Sequence, residues 1–343
     1  MTTTAVRGAL AAPSVPRSTG IVWHRVRGIL APLVKTIGIL LPVFFLGSFF
    51  TFLLGALSGR NPAALQLGDA ATPEAVAAIE HEYGLDRPFL VQYFDWLATL
   101  ASGSFGNSWL NGVPVVTLLG EKALVSLSVT GLALLIGVVF GFIFGVLAAR
   151  FHTRWIDRVI TTGTTVISVL PPFVVGIALI SVFAVGLKLL PAVGYVPIEM
   201  GVGLWFSHII LPAVALSFDT VSDIARQLRA GLVAAYRENY VTGAVVRGLG
   251  SRRIFFVHVL RNGVGPALSV LGLKFPALLG GAVLIESIFG LAGYGTFAAQ
   301  AAVSGDVPSV QAVLVISVVL VVVFNLLVNI VLNRLIPSAS RGV

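Results

Sequence analysis

Six long apolar segments constrain the fold of this chain more than any other feature. A helix needs about 20 mainly apolar residues to cross a bilayer. Runs of that kind lie at about residues 36–57, 123–149, 159–187, 208–231, 263–289 and 310–332. Of the 343 residues, 57% are hydrophobic and only 10% are charged, whereas a soluble domain has about 25% charged residues. The sequence therefore predicts an all-α, polytopic membrane protein with six transmembrane helices.

The basic residues are concentrated in one set of loops. The chain has 22 Lys and Arg against 14 Asp and Glu, which gives a net charge of +8. Most of the basic residues lie before residue 36, in the segments 150–158 and 226–261, and after residue 333. By the positive-inside rule, we expect these segments and both termini to be cytoplasmic. The positive charge thus indicates an orientation in the lipid bilayer and not nucleic-acid binding.

The apolar segments divide the chain into regions. The predicted organisation is a mostly disordered cytoplasmic tail (1–35), a first transmembrane helix (36–57), an extracytoplasmic segment with short helices (58–119), a transmembrane domain (120–334) and a cytoplasmic C-terminal tail (335–343). The longest cytoplasmic loop of the transmembrane domain is 232–261.

The extracytoplasmic segment contains one clear helix and an aromatic run. Thr72 is a suitable N-cap, Pro73 suits the first helical position and Gly84 can end the helix. Further along, Tyr93 and Trp96 lie close together in sequence. Such a segment is either a binding surface or a plug that packs on the ends of the spans, and the periodicity alone favours packing.

No standard catalytic or metal-binding pattern occurs in the sequence. A phosphate-binding P-loop, a zinc-protease His-Glu-x-x-His helix and a serine-hydrolase elbow are all missing. The chain has no Cys, and its five His are scattered. The sequence therefore argues against an enzyme, and we expect the chain itself to bind no cofactor or metal.

The cytoplasmic loop 232–261 has an unusual pattern. Four of its residues follow one another at i+4 spacing and predict one helix with a narrow ridge: Tyr236, Tyr240, Ala244 and Gly248. Gly248 and Gly250 would end this helix, and Ser251 would cap a second one that carries Arg252. Two short helices at a bend suit a helix-in-groove contact with a cytosolic partner. The alternative is a connector on lipid headgroups, with its arginines on anionic lipid; the pattern does not decide.

The same loop resembles a known family. The stretch Thr242-Gly243-Ala244-x-x-x-Gly248, followed after nine residues by His258-x-Leu260-Arg261-Asn262, is similar to the coupling loop of bacterial ABC importer permeases of the dipeptide/oligopeptide/nickel branch. Further similarities to the B-type subunit of that branch include Gly84–Pro88, Gly103–Gly106, Leu211–Ala213, Gly280–Val283 and Glu286-x-Ile288-Phe289. The similarity extends from about Arg25 to Pro337. Asp219, Asp223 and Lys274 depart from the family pattern.

The resemblance implies a fold, a function and partners. The chain would have the type I ABC importer permease fold and form half of a path for dipeptides or oligopeptides through the bacterial cytoplasmic membrane. A second, homologous permease would form the other half of a heterodimer, two cytosolic ATPases would bind ATP and Mg, and an extracytoplasmic binding protein would deliver the solute. Two alternatives stay open: import of nickel chelates or another small solute on the same scaffold, and a secondary transporter or channel that needs no ATPase.

The resemblance also implies roles for individual residues. The residues expected to couple the chain to the ATPases are Tyr236, Tyr240, Ala244, Gly248, Ser251 and Arg252. The residues expected to face the binding protein are Asp86, Arg87, Tyr93 and Trp96. Gly248 would permit the bend of the coupling loop, because glycine adopts backbone conformations that other residues avoid.

Charged residues inside the spans are candidates for the translocation path. A Lys or Asp at the centre of a transmembrane helix costs about 2.5–3.5 kcal/mol on insertion scales, so it usually faces a cavity or a partner. We expect Asp223 to pair with Arg226 in a structural role. Asp219 is the better path candidate and would meet a cationic group of the solute or a basic residue of the other subunit. Lys274 and Glu286 are further candidates; they lie about 18 Å apart along one helix and so cannot pair directly. The alternatives are that Glu286, which matches the family pattern, is structural and that Lys274 extends towards the edge of the membrane.

Overall fold

The computed structural model describes residue 38 and residues 40–335, and these residues form helices and connecting turns with no β-strand. The predicted tails, 1–35 and 335–343, lie outside the described residues except for residue 335. The helices are α1 (Leu40–Leu57), α2 (Pro62–Leu67), α3 (Pro73–Tyr83), α4 (Phe89–Ala101), α5 (Val115–Arg150), α6 (Trp155–Val169), α7 (Pro172–Gly186), α8 (Val202–Tyr236), α9 (Asn239–Val246), α10 (251–263), α11 (Gly265–Ile288), α12 (Tyr294–Ser304) and α13 (Val307–Leu335).

Five described helices are long and apolar enough to cross a membrane: α1, α5, α8, α11 and α13. The third predicted segment (159–187) is broken, because α6 and α7 meet at an angle of 97°. Pro171 and Pro172 lie at the break, where proline lacks the N–H that a continuous helix needs and disfavours helical backbone in the residue before it. The bent pair completes six spans if it crosses as one.

Helices α5 and α8 are longer than a membrane requires. They contain 36 and 35 residues, so each is about 50 Å long, whereas the hydrocarbon core is about 30 Å thick. Both helices therefore extend beyond the bilayer. The short helices α9 and α10 follow directly on the end of α8 and form a knob there. We call it the cytoplasmic knob (residues 239–263), after the side of the membrane that the basic residues of the sequence predict.

Three glycines bring α5 and α8 into close contact. Gly137, Gly141 and Gly145 lie one turn apart on α5 and face Thr220, Ile224 and Leu228 of α8. A Cβ atom at Gly141 would lie 2.7 Å from the Ile224 Cβ, and one at Gly145 would lie 2.9 Å from the Leu228 Cβ. Small residues at such spacing let membrane helices approach closely, since packing rather than the hydrophobic effect drives helix association in lipid.

A continuous core joins the cytoplasmic knob to the membrane helices. Leu228 and Leu232 of α8 are fully buried against Ala244 of α9 and Val259 of α10. At the junction with α11, the backbones of α8 and α10 nearly touch, because a Cβ at Gly263 would lie 3.0 Å from the Gly231 carbonyl oxygen. The knob is thus packed onto α8 and is not a loose connector.

Candidate functional sites

The cytoplasmic knob differs from the single ridge that the i+4 pattern predicts. Helix α8 ends at Tyr236, and the extended backbone of Glu238 starts α9. Tyr236 and Tyr240 therefore lie on different helices, and the prediction of one ridge through both is wrong. Ala244 is fully buried in the core and does not reach the surface. The i+4 rule holds only within one helix, and the break at Glu238 ends its register.

The C-terminal tip of α9 exposes apolar side chains. Val245 and Val246 are 59% and 82% exposed, although they form the tip of a knob that the sequence places in water. Tyr240 is about one-third exposed. Partial burial raises the pKa of Tyr240 above its usual value, so its hydroxyl stays protonated beside Asn262 of α10, with which it hydrogen-bonds. Helix α9 is thus anchored to α10 by a hydrogen bond, while its tip is apolar and exposed.

Gly248 forms the bend between α9 and α10. Its φ of 75° lies in the left-handed region, which glycine adopts without the strain that a side chain brings. No heavy atom lies within 4 Å of the position that a Cβ would occupy. The bend therefore requires glycine for its backbone conformation, and the space beside it is open to a partner.

The second helix of the knob begins differently from the prediction. Gly250 occupies the N-cap position with extended backbone, and Ser251 is the first helical residue with no capping hydrogen bond. The predicted cap at Ser251 is therefore wrong. Arg252 and Tyr236 instead line an open cavity of about 730 Å³ between the knob and the ends of α5 and α8.

Four charged side chains of α8 and α11 form one cluster: Asp219, Asp223, Arg226 and Lys274. Lys274 Nζ donates to Asp219 Oδ2 at 2.6 Å and also pairs with Asp223. Asp223 pairs in addition with Arg226, which confirms the predicted contact. Asp219, for which a cation of the solute or of another subunit is expected, also has a cationic partner within its own chain, Lys274. Sequence spacing along one helix could not reveal a pair that is 55 residues apart.

Glu286 occupies a buried position with structural contacts. Its side chain is fully buried, and it accepts hydrogen bonds from the hydroxyl of Ser126 on α5 and from the Thr296 N–H at 2.9 Å. Ser126 in turn accepts a hydrogen bond from the Tyr294 N–H at 2.7 Å. Glu286 and Ser126 therefore satisfy N–H groups of the first turn of α12, which have no partner within the helix. The carboxylate joins α5, α11 and α12.

The glycines before and after Tyr294 make room for this carboxylate. A Cβ at Gly293 would lie 2.5 Å from Glu286 Oε1, and one at Gly295 would lie 3.1 Å from Glu286 Oε2. Burial also raises the pKa of Tyr294 to about 12, so its hydroxyl stays protonated and donates to the Val313 carbonyl of α13. The loop between the last two spans is thereby fixed to three helices.

The predicted binding-protein surface is split between interior and exterior. Tyr93 and Trp96 are 5% and 8% exposed, and they pack against Phe44, Phe49 and Phe52 of α1. The expectation that these two aromatic residues face a binding protein is wrong; they serve the packing role that the periodicity favours.

Asp86 and Arg87 do lie on the exterior. Asp86 pairs with His81 at 2.8 Å, and Arg87 pairs with Asp95 at 3.0 Å. The hydrogen bond from His81 lowers the pKa of Asp86. Asp86 and Arg87 follow α3. This helix begins and ends as predicted, because Thr72 caps the Ala75 N–H and Gly84 adopts the left-handed conformation.

An ion pair near the C-terminal end of α8 was not predicted. Arg229 donates to both oxygens of Asp157 at 2.6 and 2.7 Å, and the carboxylate is almost fully buried. Such a two-point contact fixes geometry as well as charge. It joins the bent third segment to α8 just before the knob. The signal was present in sequence as a lone Asp in the first turn of α6, but its partner is 72 residues away.

Comparison with known proteins identifies matching families. Residues 141–341 match the family described as "binding-protein-dependent transport system inner membrane component". Residues 29–129 match the N-terminal family of such membrane components.

Individual relatives cover nearly the whole chain. A probable peptide ABC transporter permease protein of Sinorhizobium fredii is 37% identical over 309 residues, which are 90% of this chain and 97% of that protein. A metal-staphylopine import system permease protein of Staphylococcus aureus is 30% identical over 314 residues, 90% of this chain and 98% of that protein. Among solved structures, the MetNI methionine ABC transporter in an inward-facing form aligns with a TM-score of 0.53 at 16% identity, covering 65% of this chain and 98% of that one. This structural likeness shows the fold.

Replacing Glu286 with Ala tests its structural role. Glu286→Ala removes the acceptor of two buried donors, so we expect it to lower the free energy of unfolding by about 3 kcal/mol. The control is Glu199→Ala, which removes an exposed carboxylate from the turn Ile198–Met200 and should change little. Thermal unfolding of the purified protein in detergent measures both variants. Equal stability of the two would return Glu286 to the list of path candidates.

Proposed function

The chain belongs to the family of binding-protein-dependent transport system inner membrane components, and from this premise we propose that the solute it carries is a peptide. As a member of that family the chain is a multi-pass inner-membrane permease subunit of an ABC importer with the type I fold, and its role is transport. Support for a peptide comes from the Sinorhizobium fredii relative, which is named for peptides and covers nearly the whole chain. The alternative is a metal chelate, since the Staphylococcus aureus relative is named for metal-staphylopine import.

The assembly that we propose has four further parts. A second, homologous permease forms the other half of the path in a heterodimer, two cytosolic ATPases bind beneath the pair, and a binding protein delivers the peptide from outside. ATP and Mg are bound by the ATPases, and this chain holds no cofactor.

The single observation that carries the coupling role is the two-sided packing of α9. Its inner face, with Val241 and Ala244, is buried against α8 and α10, while Val246 at its tip is 82% exposed. An exposed apolar surface rimmed by polar residues is typical of a contact site. The tip and the exposed edge of Tyr240 would enter a groove of the ATPase, which is recognition of a helix by its apolar face.

The mechanism follows from how the knob is attached. Because the inner face of α9 is part of the core of α8, a force on the tip moves α8 and its close partner α5 together. When ATP closes the two ATPases, the coupling helices are drawn together and the spans rock between inward- and outward-facing states. Arg252 and Ser251, beside the cavity at the base of the knob, would contact the rim of the ATPase groove.

On the opposite face of the membrane, Asp86 and Arg87 are the proposed contacts of the binding protein. Both side chains are substantially exposed and carry opposite charges, and exposed charges at an interface mainly steer association. Tyr93 and Trp96 contribute indirectly, because they hold α4 on α1.

We also propose that both termini are cytoplasmic and that the segment from Asn61 to Leu119 is outside. The distribution of basic residues supports this orientation. Single cysteines at Ser14 and Ala77 can report it, since the native chain has none. In intact cells, an impermeant thiol reagent should label Ala77→Cys and leave Ser14→Cys unlabelled; the reverse pattern would overturn the orientation.

The variant Gly248→Trp tests coupling. It places a bulky side chain beside the tip of the knob and forces non-glycine backbone at a positive φ. We expect the complex to assemble in the membrane, while ATP-dependent uptake of trialanine into proteoliposomes and binding-protein-stimulated ATP hydrolysis both fall by at least about tenfold. Isolated ATPases should be unaffected.

The matched control for this variant is Gly59→Trp. Gly59 has a φ of 66° and also has no atom within 4 Å of a Cβ, so the variant carries the same strain and bulk away from the knob, and uptake should largely persist. Native uptake by Gly248→Trp would show that the knob is not the coupling element. If the wild-type complex imported no trialanine, the assignment of peptides as the solute would be wrong.

A further inference from the structure

The charge cluster at α8 and α11 contains more carboxylates than its lysine needs. Lys274 contacts both Asp219 and Asp223, although one carboxylate is enough to neutralise it. Asp223 has a second cation of its own, Arg226. Among the described residues, Asp219 has only Lys274. Loss of the Asp219 contact would therefore leave Lys274 and Asp223 still paired.

The cluster lies deep in the membrane. Asp219 is eleven residues after His208 and twelve before Gly231, the ends of its predicted span, so it is about 17 Å from one end and 18 Å from the other. A charge at that depth avoids lipid and faces water or protein. The side chain of Asp219 is nevertheless 51% exposed in the isolated chain, against 21% for Asp223 and 11% for Lys274. The exposed side of the Asp219 side chain must therefore face the path or the second permease.

We propose that Asp219 binds the cationic amino group of the solute as it passes, in exchange for Lys274. The proposal rests on the peptide import proposed above and names the chemical group that is recognised. When the solute ammonium pairs with Asp219, Lys274 stays paired with Asp223. No buried charge is then left without a partner. This matters because an unpaired charge in a low-dielectric interior is strongly destabilising. When the solute leaves, Lys274 pairs with Asp219 again.

Asp219 and Asp223 are chemically identical and one turn apart, but only Asp219 can be released in this way. Asp223 is held between Lys274 and Arg226 and is the less exposed carboxylate. If Asp223 were taken by the solute, Arg226 would lose its partner. The solute class that fits Asp219 has a free amine, such as the α-ammonium of a peptide, and a peptide with a blocked amino terminus would lack the contact.

The experiment compares two peptides on the permease complex with its ATPases in lipid nanodiscs, without the binding protein, so that selection during delivery does not contribute. The probes are radiolabelled trialanine and N-acetyl-trialanine, and equilibrium binding of each is measured. We expect the wild-type complex to bind trialanine about tenfold more tightly, as is usual for a charge-assisted contact. Asp219→Asn should remove this preference while assembly stays intact.

Asp223→Asn is the matched control, since it makes the same change one turn away. It should retain the preference for trialanine but lower the yield of folded complex, because Arg226 loses its partner. The proposal is overturned if Asp219→Asn keeps the preference, if the wild-type complex has none or binds neither peptide, or if Asp219→Asn fails to assemble, since the exchange requires that Asp219 be dispensable for structure.

A cysteine at position 219 gives a second measurement in the otherwise cysteine-free chain. Asp219→Cys should react with a water-soluble alkylating reagent, and the corresponding Asp223→Cys should react more slowly. A lack of reaction at position 219 would place it against protein and contradict the proposal. Failure of the inference and failure of peptide import are distinguishable: wild-type uptake of trialanine with an unchanged preference in Asp219→Asn rejects only the role of Asp219.

Discussion

The close contact between α5 and α8 is the constraint on which the rest of the structure depends. Lipid offers membrane helices no hydrophobic reason to associate, so their packing relies on close approach. Gly137, Gly141 and Gly145 supply that approach, and a Cβ at any of them would lie within 3.0 Å of a side chain on α8. The contact fixes α8, and α8 carries both the knob and the charged cluster.

Helix α8 connects the knob with the charged cluster at mid-membrane. Asp219 and Tyr236 are on one helix, seventeen residues apart, which is about 26 Å along its axis. Between them, Arg229 holds α6 through Asp157. Gly231 nearly touches Gly263 at the end of α10 and also lies close to Pro266 at the start of α11. Because Lys274 lies on α11 and Asp219 on α8, relative movement of these two helices would change the ion pair. We propose that this geometry connects movement of the ATPases with the contact between Asp219 and the solute.

Part of this structure could be predicted from sequence, because it depends on local rules. Hydrophobic length gives the spans, and capping chemistry gives the helix from Pro73 to Tyr83. The i+3 spacing gives the Asp223–Arg226 pair. Contacts between residues that are far apart in sequence could not be predicted. Spacing shows which residues share a face but not what packs there, so Tyr93 is buried where a binding surface was considered. The pairing of Lys274 across helices and the capping of α12 by Glu286 depend on tertiary contacts that a single sequence does not contain.

The central claim is that the knob moves the path only because α5 and α8 form one tightly packed unit, and a comparison of two glycine variants tests it most directly. Gly141→Val inserts a side chain where a Cβ would lie 2.7 Å from Ile224, whereas Gly131→Val, ten residues earlier on α5, meets no atom within 4 Å. The measurement is binding-protein-stimulated ATP hydrolysis coupled to trialanine uptake, with thermal unfolding recorded in parallel. We expect Gly141→Val to lose about 1–3 kcal/mol of stability and most of the uptake per ATP hydrolysed, and Gly131→Val to behave as wild type. Wild-type coupling in Gly141→Val would contradict the account.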